Sequence, residues 1–388
     1  MTTARRAPTR AAQATLLAAA TLTIMAAAVI APSLPAMTRA FGNADVLVKL
    51  ALTVTSLAIA ISAPLSGAVA DRVGRRPLLV GGLALYAVAG TAGYFVSDLV
   101  VLLVTRALLG IAVGGIMTAV SAIITDWFDG PRRASFLGLQ QAFASLGGVV
   151  FLPLAGVLAG VDWKLPFWIY AASALILPAA LRTLGEPARA GEAPADTGPS
   201  RNSLRVTGIY ALALVVTLAF YLAPTQLPFL LTEFGVGPAV VGIVVAGSTL
   251  TGVVGALVFP VLSGRLTPTA ITTASVGLLG AGWLLIGTAG SVAPIVVGLL
   301  VGGVGVGLAV PTLNLRLAGL AGPGRRGRVL SGLVTGIFLG QFLSPLAAQP
   351  LVRTAGIGGA FTYSGAAMAA GAALATLIVL QHKERKVR

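Results

Sequence analysis

Gly67–Pro77 reads GAVADRVGRRP: one acid, three arginines and a proline set into a chain that is otherwise apolar. Around this stretch run 388 residues, 57% hydrophobic and 10% charged, against about 25% charged in a soluble domain. That is more apolar material than a soluble core of this length hides, so the chain reads as an all-α membrane protein with the bilayer as its solvent. The sequence has no cysteine, and its one histidine, His382, lies in a charged tail. Disulfides, metal sites and histidine-based acid–base catalysis are therefore not expected, and the chain is not read as an enzyme. The net charge of +15 does not gather on one aromatic-rich face, which argues against nucleic acid as a partner.

Apolar runs of about 20 residues predict twelve transmembrane helices, at 11–36, 45–70, 77–96, 99–125, 132–160, 164–181, 204–231, 238–264, 269–289, 292–318, 325–352 and 357–380. Asp45 and Asp98 are expected to cap the second and fourth, and Pro131, Pro268 and Pro323 to sit at helix starts. GEPARAGEAPADTGPSRNS, 185–203, is polar and rich in proline and glycine, the composition of a linker. The domains read from this pattern are 1–181, a cytoplasmic linker at 182–203, and 204–388.

Basic residues set the orientation. With the N-terminus in the cytoplasm, 21 of the 26 lysines and arginines fall on that face. Arg39, Lys49, Lys164 and Arg353 fall on the other, and Arg106 lies within a span. A multi-pass inner-membrane protein with both termini cytoplasmic is expected. Arg5, Arg6 and Arg10 ahead of an apolar run also fit a signal peptide, but the run is long and the later topology needs it as a helix.

GPRRAS begins at Gly130 and GPGRRGR at Gly322, 192 residues apart. Pro153 and Pro345, Gly110 and Gly302, and Gly115 and Gly307 share that offset. One offset close to half the chain predicts two parallel six-helix halves, a transporter arrangement with the substrate site between them. At these residues the sequence resembles the major facilitator superfamily, over essentially its full length. GAVADRVGRRP is similar to that family's signature between helices 2 and 3, G-x-x-x-D-R-x-G-R-R/K, with Gly67, Asp71, Arg72, Gly74, Arg75 and Arg76 in its positions. Arg106 and Gly110 are similar to an R-x-x-x-G pattern in helix 4, where the family has a functional arginine. GVVFLPLAGV, Gly148–Val157, resembles the signature G-x-x-x-G-P-x-x-G-G of the drug:proton antiporter branch. Gly148, Pro153 and Gly156 match it, while Leu152 and Val157 stand in place of glycines.

The resemblance implies two pseudo-symmetric six-helix bundles and a conformational latch at the charged cytoplasmic loop. Asp71 follows the C-terminal end of a helix, where the macrodipole disfavours an acid by up to about 1 kcal/mol, so a partner elsewhere is expected. The basic start of the eleventh helix, Arg325, Arg326 and Arg328, is the expected partner when the cytoplasmic side is closed. Asp126 and Asp129 are expected to pair with Arg72 or Arg75. Gly67 is expected to let helix 2 approach a neighbour, and Gly74 to make a turn.

Arg106 is expected to be buried facing a central cavity, with snorkelling to the surface as the alternative. Gln140, Gln141 and Ser145 in helix 5, Tyr221, Thr225 and Gln226 in helix 7, Asn314 in helix 10 and Gln341 in helix 11 are candidates for the substrate or proton pathway. Interhelical hydrogen bonding is the alternative for each. None of the eleven acids falls mid-span. That disfavours a broad cationic-drug pump and leaves the proton carrier unassigned, Asp45 being nearest if helix 2 begins deeper. GGVGVG at 302–307 and GLVTGIFLG at 332–340 lack the lysine of a phosphate loop and read as small-residue helix packing.

The function expected is a secondary transporter exporting a small organic or drug-like molecule by alternating access. It would exchange protons, draw on the proton gradient without a cofactor, and act as a monomer surrounded by membrane lipid. An importer or uniporter of the same fold is one alternative; a transport-inactive membrane receptor or assembly partner is another.

Overall fold

In hydrocarbon every backbone N–H and C=O must find its partner inside the protein, and this chain meets that demand with helices. A computed structural model describes residues 8–185, 203–320 and 326–387. Ten helical stretches come first: α1 Arg10–Ala40, α2 Asp45–Val73, α3 Arg75–Phe95, α4 Leu99–Trp127, α5 Gly130–Val161, α6 Leu165–Thr183, α7 Leu204–Glu233, α8 Pro238–Ser263, α9 Pro268–Gly287 and α10 Val292–Leu320. The last stretch runs from Arg326 to Val387, and its apolar part, Val329–Ile378, is 50 residues long. At 1.5 Å per residue that is about 75 Å, more than twice the hydrocarbon thickness. Gly356, with φ 72° and ψ 177°, breaks it into α11 (326–355) and α12 (357–387). Among the described residues the chain therefore makes twelve crossings, each within a few residues of its expected span.

The chain divides into two compact units, Met1–Pro194 and Ala195–Arg388. In the first, α4 packs on α2 and α3, and α1 on α5; in the second, α10 packs on α8 and α9, α12 on α9, and α11 on α7. Small residues permit the approach. A Cβ on Gly110 of α4 would run into the Thr55 carbonyl of α2, and one on Gly307 of α10 into the Gly252 carbonyl of α8. Their mates at the 192-residue offset have other neighbours: Gly302 abuts Trp283 of α9, and Gly115 faces Leu78 of α3. The glycine landmarks thus do not occupy equivalent surroundings in the two units.

Buried aromatic donors tie helices together at backbone carbonyls. Trp283 Nε1 donates to Ala219 O at 2.8 Å, Tyr86 Oη to Leu22 O at 3.0 Å and Tyr170 Oη to Ala26 O at 2.8 Å.

At the helix starts, Asp98 Oδ1 accepts from Val101 N at 2.9 Å, and Pro131 and Pro268 occupy first turns. Pro323 lies outside the described residues. The expectation for Asp45 is corrected: Ala44 takes the cap position, and Asp45 is the exposed first residue of α2, outside the apolar run. Lys49, counted by charge on the external side, sits one turn inside α2 and is 2% exposed.

Two helices are not continuous. α1 is regular over Arg10–Ala28, passes through a 3-10 turn at Ala31–Ser33 and resumes at Leu34–Ala40. α7 breaks at Tyr221, between Ser203–Phe220 and Leu222–Glu233. Val29, which ends the first piece of α1, and Tyr221 are 192 residues apart. The breaks are buried and carry no charge, so hydropathy runs straight through them.

Candidate functional site

The charged loop is built around Gly74, which ends α2 with φ 110° and ψ 157°, a region that a Cβ disfavours. The reversal delivers two arginines to other helices of the same unit. Arg75 Nε lies 2.8 Å from Asp126 Oδ2, the side chains being 15% and 2% exposed. Arg76 Nη2 donates to Leu181 O at 2.7 Å, in the last turn of α6, where the helix end favours a cation. On the neighbouring loop Arg133 lies 2.8 Å from Asp129 Oδ1 and donates through Nε to Phe128 O at 2.8 Å. The α2–α3 turn is thereby stapled to the C-terminal ends of α4 and α6.

Of the residues expected to form a latch, Arg75, Arg76 and Asp126 are engaged within the N-terminal unit, with Arg75 rather than Arg72 meeting Asp126. Asp71 and Arg72 are exposed. Arg325 and the side chains of Arg326 and Arg328 lie outside the described residues. The role expected of Gly67 is corrected: a Cβ there would meet nothing within 4 Å. The close approach of α2 comes instead from the α4 side, at Gly110 and Gly114.

Arg106 is 1% exposed, and its direction is set by its own bundle. Nη2 donates to Ala89 O at 2.9 Å and Gly90 O at 2.8 Å on α3. The guanidinium carbon lies 4.9 Å from the ring centroids of both Phe167 and Tyr170 on α6, a cation–π cage that offsets part of the cost of burial. Gly90 and Gly93 leave the room for those rings. The expected cavity-facing cation is thus a tie between α3, α4 and α6.

The other pathway candidates separate by what their side chains bond. Gln140 Nε2 donates to Ser121 Oγ at 3.2 Å, joining α5 to α4. Asn314 Nδ2 donates to Val310 O at 3.0 Å on its own helix. Gln141 is exposed, and Gln341 is half-buried on α11. Gly148 and Gly156 are buried along α5 with Pro153 half-buried between them. The neighbouring Gly147 meets α1 closely: a Cβ there would run into the Thr21 carbonyl.

Tyr221, Thr225 and Gln226 all fall at the break in α7. Thr225 Oγ1 donates to Tyr221 O at 2.7 Å. Gln226 is 0% exposed, and neither its Nε2 nor its Oε1 has a hydrogen-bond partner. The break in α1 holds a similar group, since Ser33 is buried with its hydroxyl unpartnered. The two breaks share a motif at the 192-residue offset, Ala31-Pro32-Ser33 and Ala223-Pro224-Thr225.

A family model described as Major Facilitator Superfamily matches residues 16–208 and 209–388. The chain belongs to the Major Facilitator Superfamily. It is 30% identical over 201 residues to Multidrug resistance protein 1 of Bacillus subtilis (strain 168), covering 50% of this chain and 52% of that protein. Over 180 residues it is 29% identical to Puromycin resistance protein pur8 of Streptomyces alboniger, covering 46% and 36%. The matches therefore span about half or less of these curated relatives. In structure it resembles the nucleoside transporter NupG with a TM-score of 0.76 at 12% identity, over 95% of this chain and 98% of that one, a likeness of fold.

As a superfamily transporter the chain is a multi-pass membrane protein, and proline-interrupted segments at corresponding positions of two halves are where such proteins place substrate. The sequence reading passed over that pair, although the repeated Ala-Pro-Ser/Thr was visible. It also passed over the α6 aromatics around Arg106. One further feature of the transporter is an apolar cavity of about 570 Å³, lined by Ile61, Leu65, Val69, Leu78, Leu85 and Ile111 of α2, α3 and α4.

Proposed function

We propose that this transporter exports a small organic, drug-like solute across the inner membrane by alternating access, with protons moving the other way. The observation that carries the direction is the 201-residue similarity to Multidrug resistance protein 1. The partial motif of Gly148, Pro153 and Gly156 on α5 supports the same reading. The energy source is the proton gradient, no cofactor takes part, and the monomer works within lipid with both termini cytoplasmic. Asp71, exposed at the end of α2, acts in the conformational cycle and not in holding the bundle.

The test is flux in everted vesicles energised to an acidic lumen, with radiolabelled chloramphenicol as the first probe. Accumulation that collapses when the pH gradient is discharged supports export by antiport. Accumulation only in right-side-out vesicles would establish import, and no flux in either would favour the receptor reading.

A further inference from the structure

The paired breaks differ in length by one residue. In α1 the run is Ala31-Pro32-Ser33-Leu34-Pro35; in α7 it is Ala223-Pro224-Thr225-Gln226-Leu227-Pro228. Aligned on their prolines, the two runs match apart from the exchange of Ser33 for Thr225, another hydroxyl, and Gln226, which the second unit inserts. The inserted side chain is the one whose amide is fully buried with both polar atoms unpartnered. Native structures leave few such groups, and each needs an explanation in a bound molecule, a water or a function.

Its surroundings offer little within the helix. Leu222, Ala223, Leu227, Leu230 and Leu231 are buried and apolar. The Thr225 hydroxyl is donated to Tyr221 O, and Pro228 has no N–H to donate to the turn that carries Gln226. No charged residue occurs between Arg205 and Glu233.

Resting on the reading of this chain as a solute transporter, we propose that Gln226 is the polar contact that selects the solute. The class selected is neutral molecules with an adjacent hydrogen-bond donor and acceptor, such as carboxamides, lactams and imides. A primary amide presents one N–H face and one carbonyl face, so only a ligand carrying both groups satisfies both atoms. A permanent cation leaves the amide hydrogens unpaired, and a carboxylate leaves the carbonyl unpaired. A site built to hydrogen-bond a ligand discriminates strongly against analogues that leave its buried groups orphaned. Two such bonds correspond to roughly a 10- to 100-fold difference in affinity.

The experiment uses the full chain in lipid nanodiscs and thermal melts with defined probes. Chloramphenicol, uridine and benzamide are the neutral amides or imides, tetraphenylphosphonium the cation and 3-phenylpropionate the anion. At least one neutral probe should stabilise the wild type, and neither ion should match it. Gln226→Leu should melt no lower than wild type, because it removes an unpaired buried amide, and should weaken the neutral probe at least tenfold. Gln226→Glu should lose the neutral probe and gain tetraphenylphosphonium.

Stabilisation by either ion but by no neutral probe overturns the proposal, as does binding by none of the three neutral probes. Unchanged neutral-probe affinity in Gln226→Leu, coupled to a lower melt, also overturns it and assigns the amide to a structural water. Binding does not depend on direction. A chain that binds through Gln226 but moves nothing in either vesicle orientation would refute the transport reading and leave this one standing.

Discussion

Arg75, Arg76 and Asp71 lie within six residues of one another, and the structure gives them different work. Arg75 faces Asp126, which is nearly buried, so neutralising one partner leaves the other charge poorly compensated. Asp126→Asn is expected to lower stability by about 1–3 kcal/mol, and Arg75→Gln in the same chain should return part of it. Thermal melts of the four members of the cycle measure the coupling. Asp71→Asn should behave in the opposite way, with abundance and melting near wild type and transport reduced; unchanged flux would remove Asp71 from the conformational cycle. Arg106→Lys is expected to cost about 1–3 kcal/mol, since an ammonium cannot stack on Phe167 and Tyr170 while reaching two carbonyls. A lysine variant that melts like wild type would contradict the cage. That a buried arginine stood in α4 was readable from sequence; that it turned toward α3 and α6 was not, because its partners are backbone carbonyls and rings far away in the chain.

For helices, hydropathy located the crossings and the proline breaks escaped it. A run of apolar residues scores alike whether its backbone is helical or interrupted, and Val29–Leu34 and Tyr221–Leu227 contain no charge to mark the change. Glycines show the same limit. Gly67 belongs to the recognisable motif, yet Gly67→Ala should leave the melt equal or higher by up to about 1 kcal/mol, because the site is open and alanine is the better helix former. Gly110→Ala should cost about 1–3 kcal/mol by forcing α4 off the Thr55 carbonyl of α2. The pair of melts tests this directly: a destabilising Gly67→Ala alongside a neutral Gly110→Ala would reverse the assignment.

At the scale of the molecule, the twelve crossings among the described residues alternate the loops between the two faces of the membrane. The sequence lacks cysteine, so single cysteines at the exposed positions Arg132 and Asp162 report sidedness without background. A membrane-impermeant maleimide should label Arg132→Cys only in everted vesicles and Asp162→Cys only in right-side-out ones; the reverse pattern would invert the topology. The number, order and approximate ends of the crossings were settled by sequence alone. Lipid tolerates only segments that satisfy their own backbone, and an apolar stretch long enough to span has one way to do so. Tertiary structure decided which way each rare polar side chain faces. These helices are apolar almost all round, so their sequences carry little record of orientation. The contacts that orient Arg75, Arg106 and Gln140, and the burial that leaves Gln226 without a partner, arise only once neighbouring helices have packed.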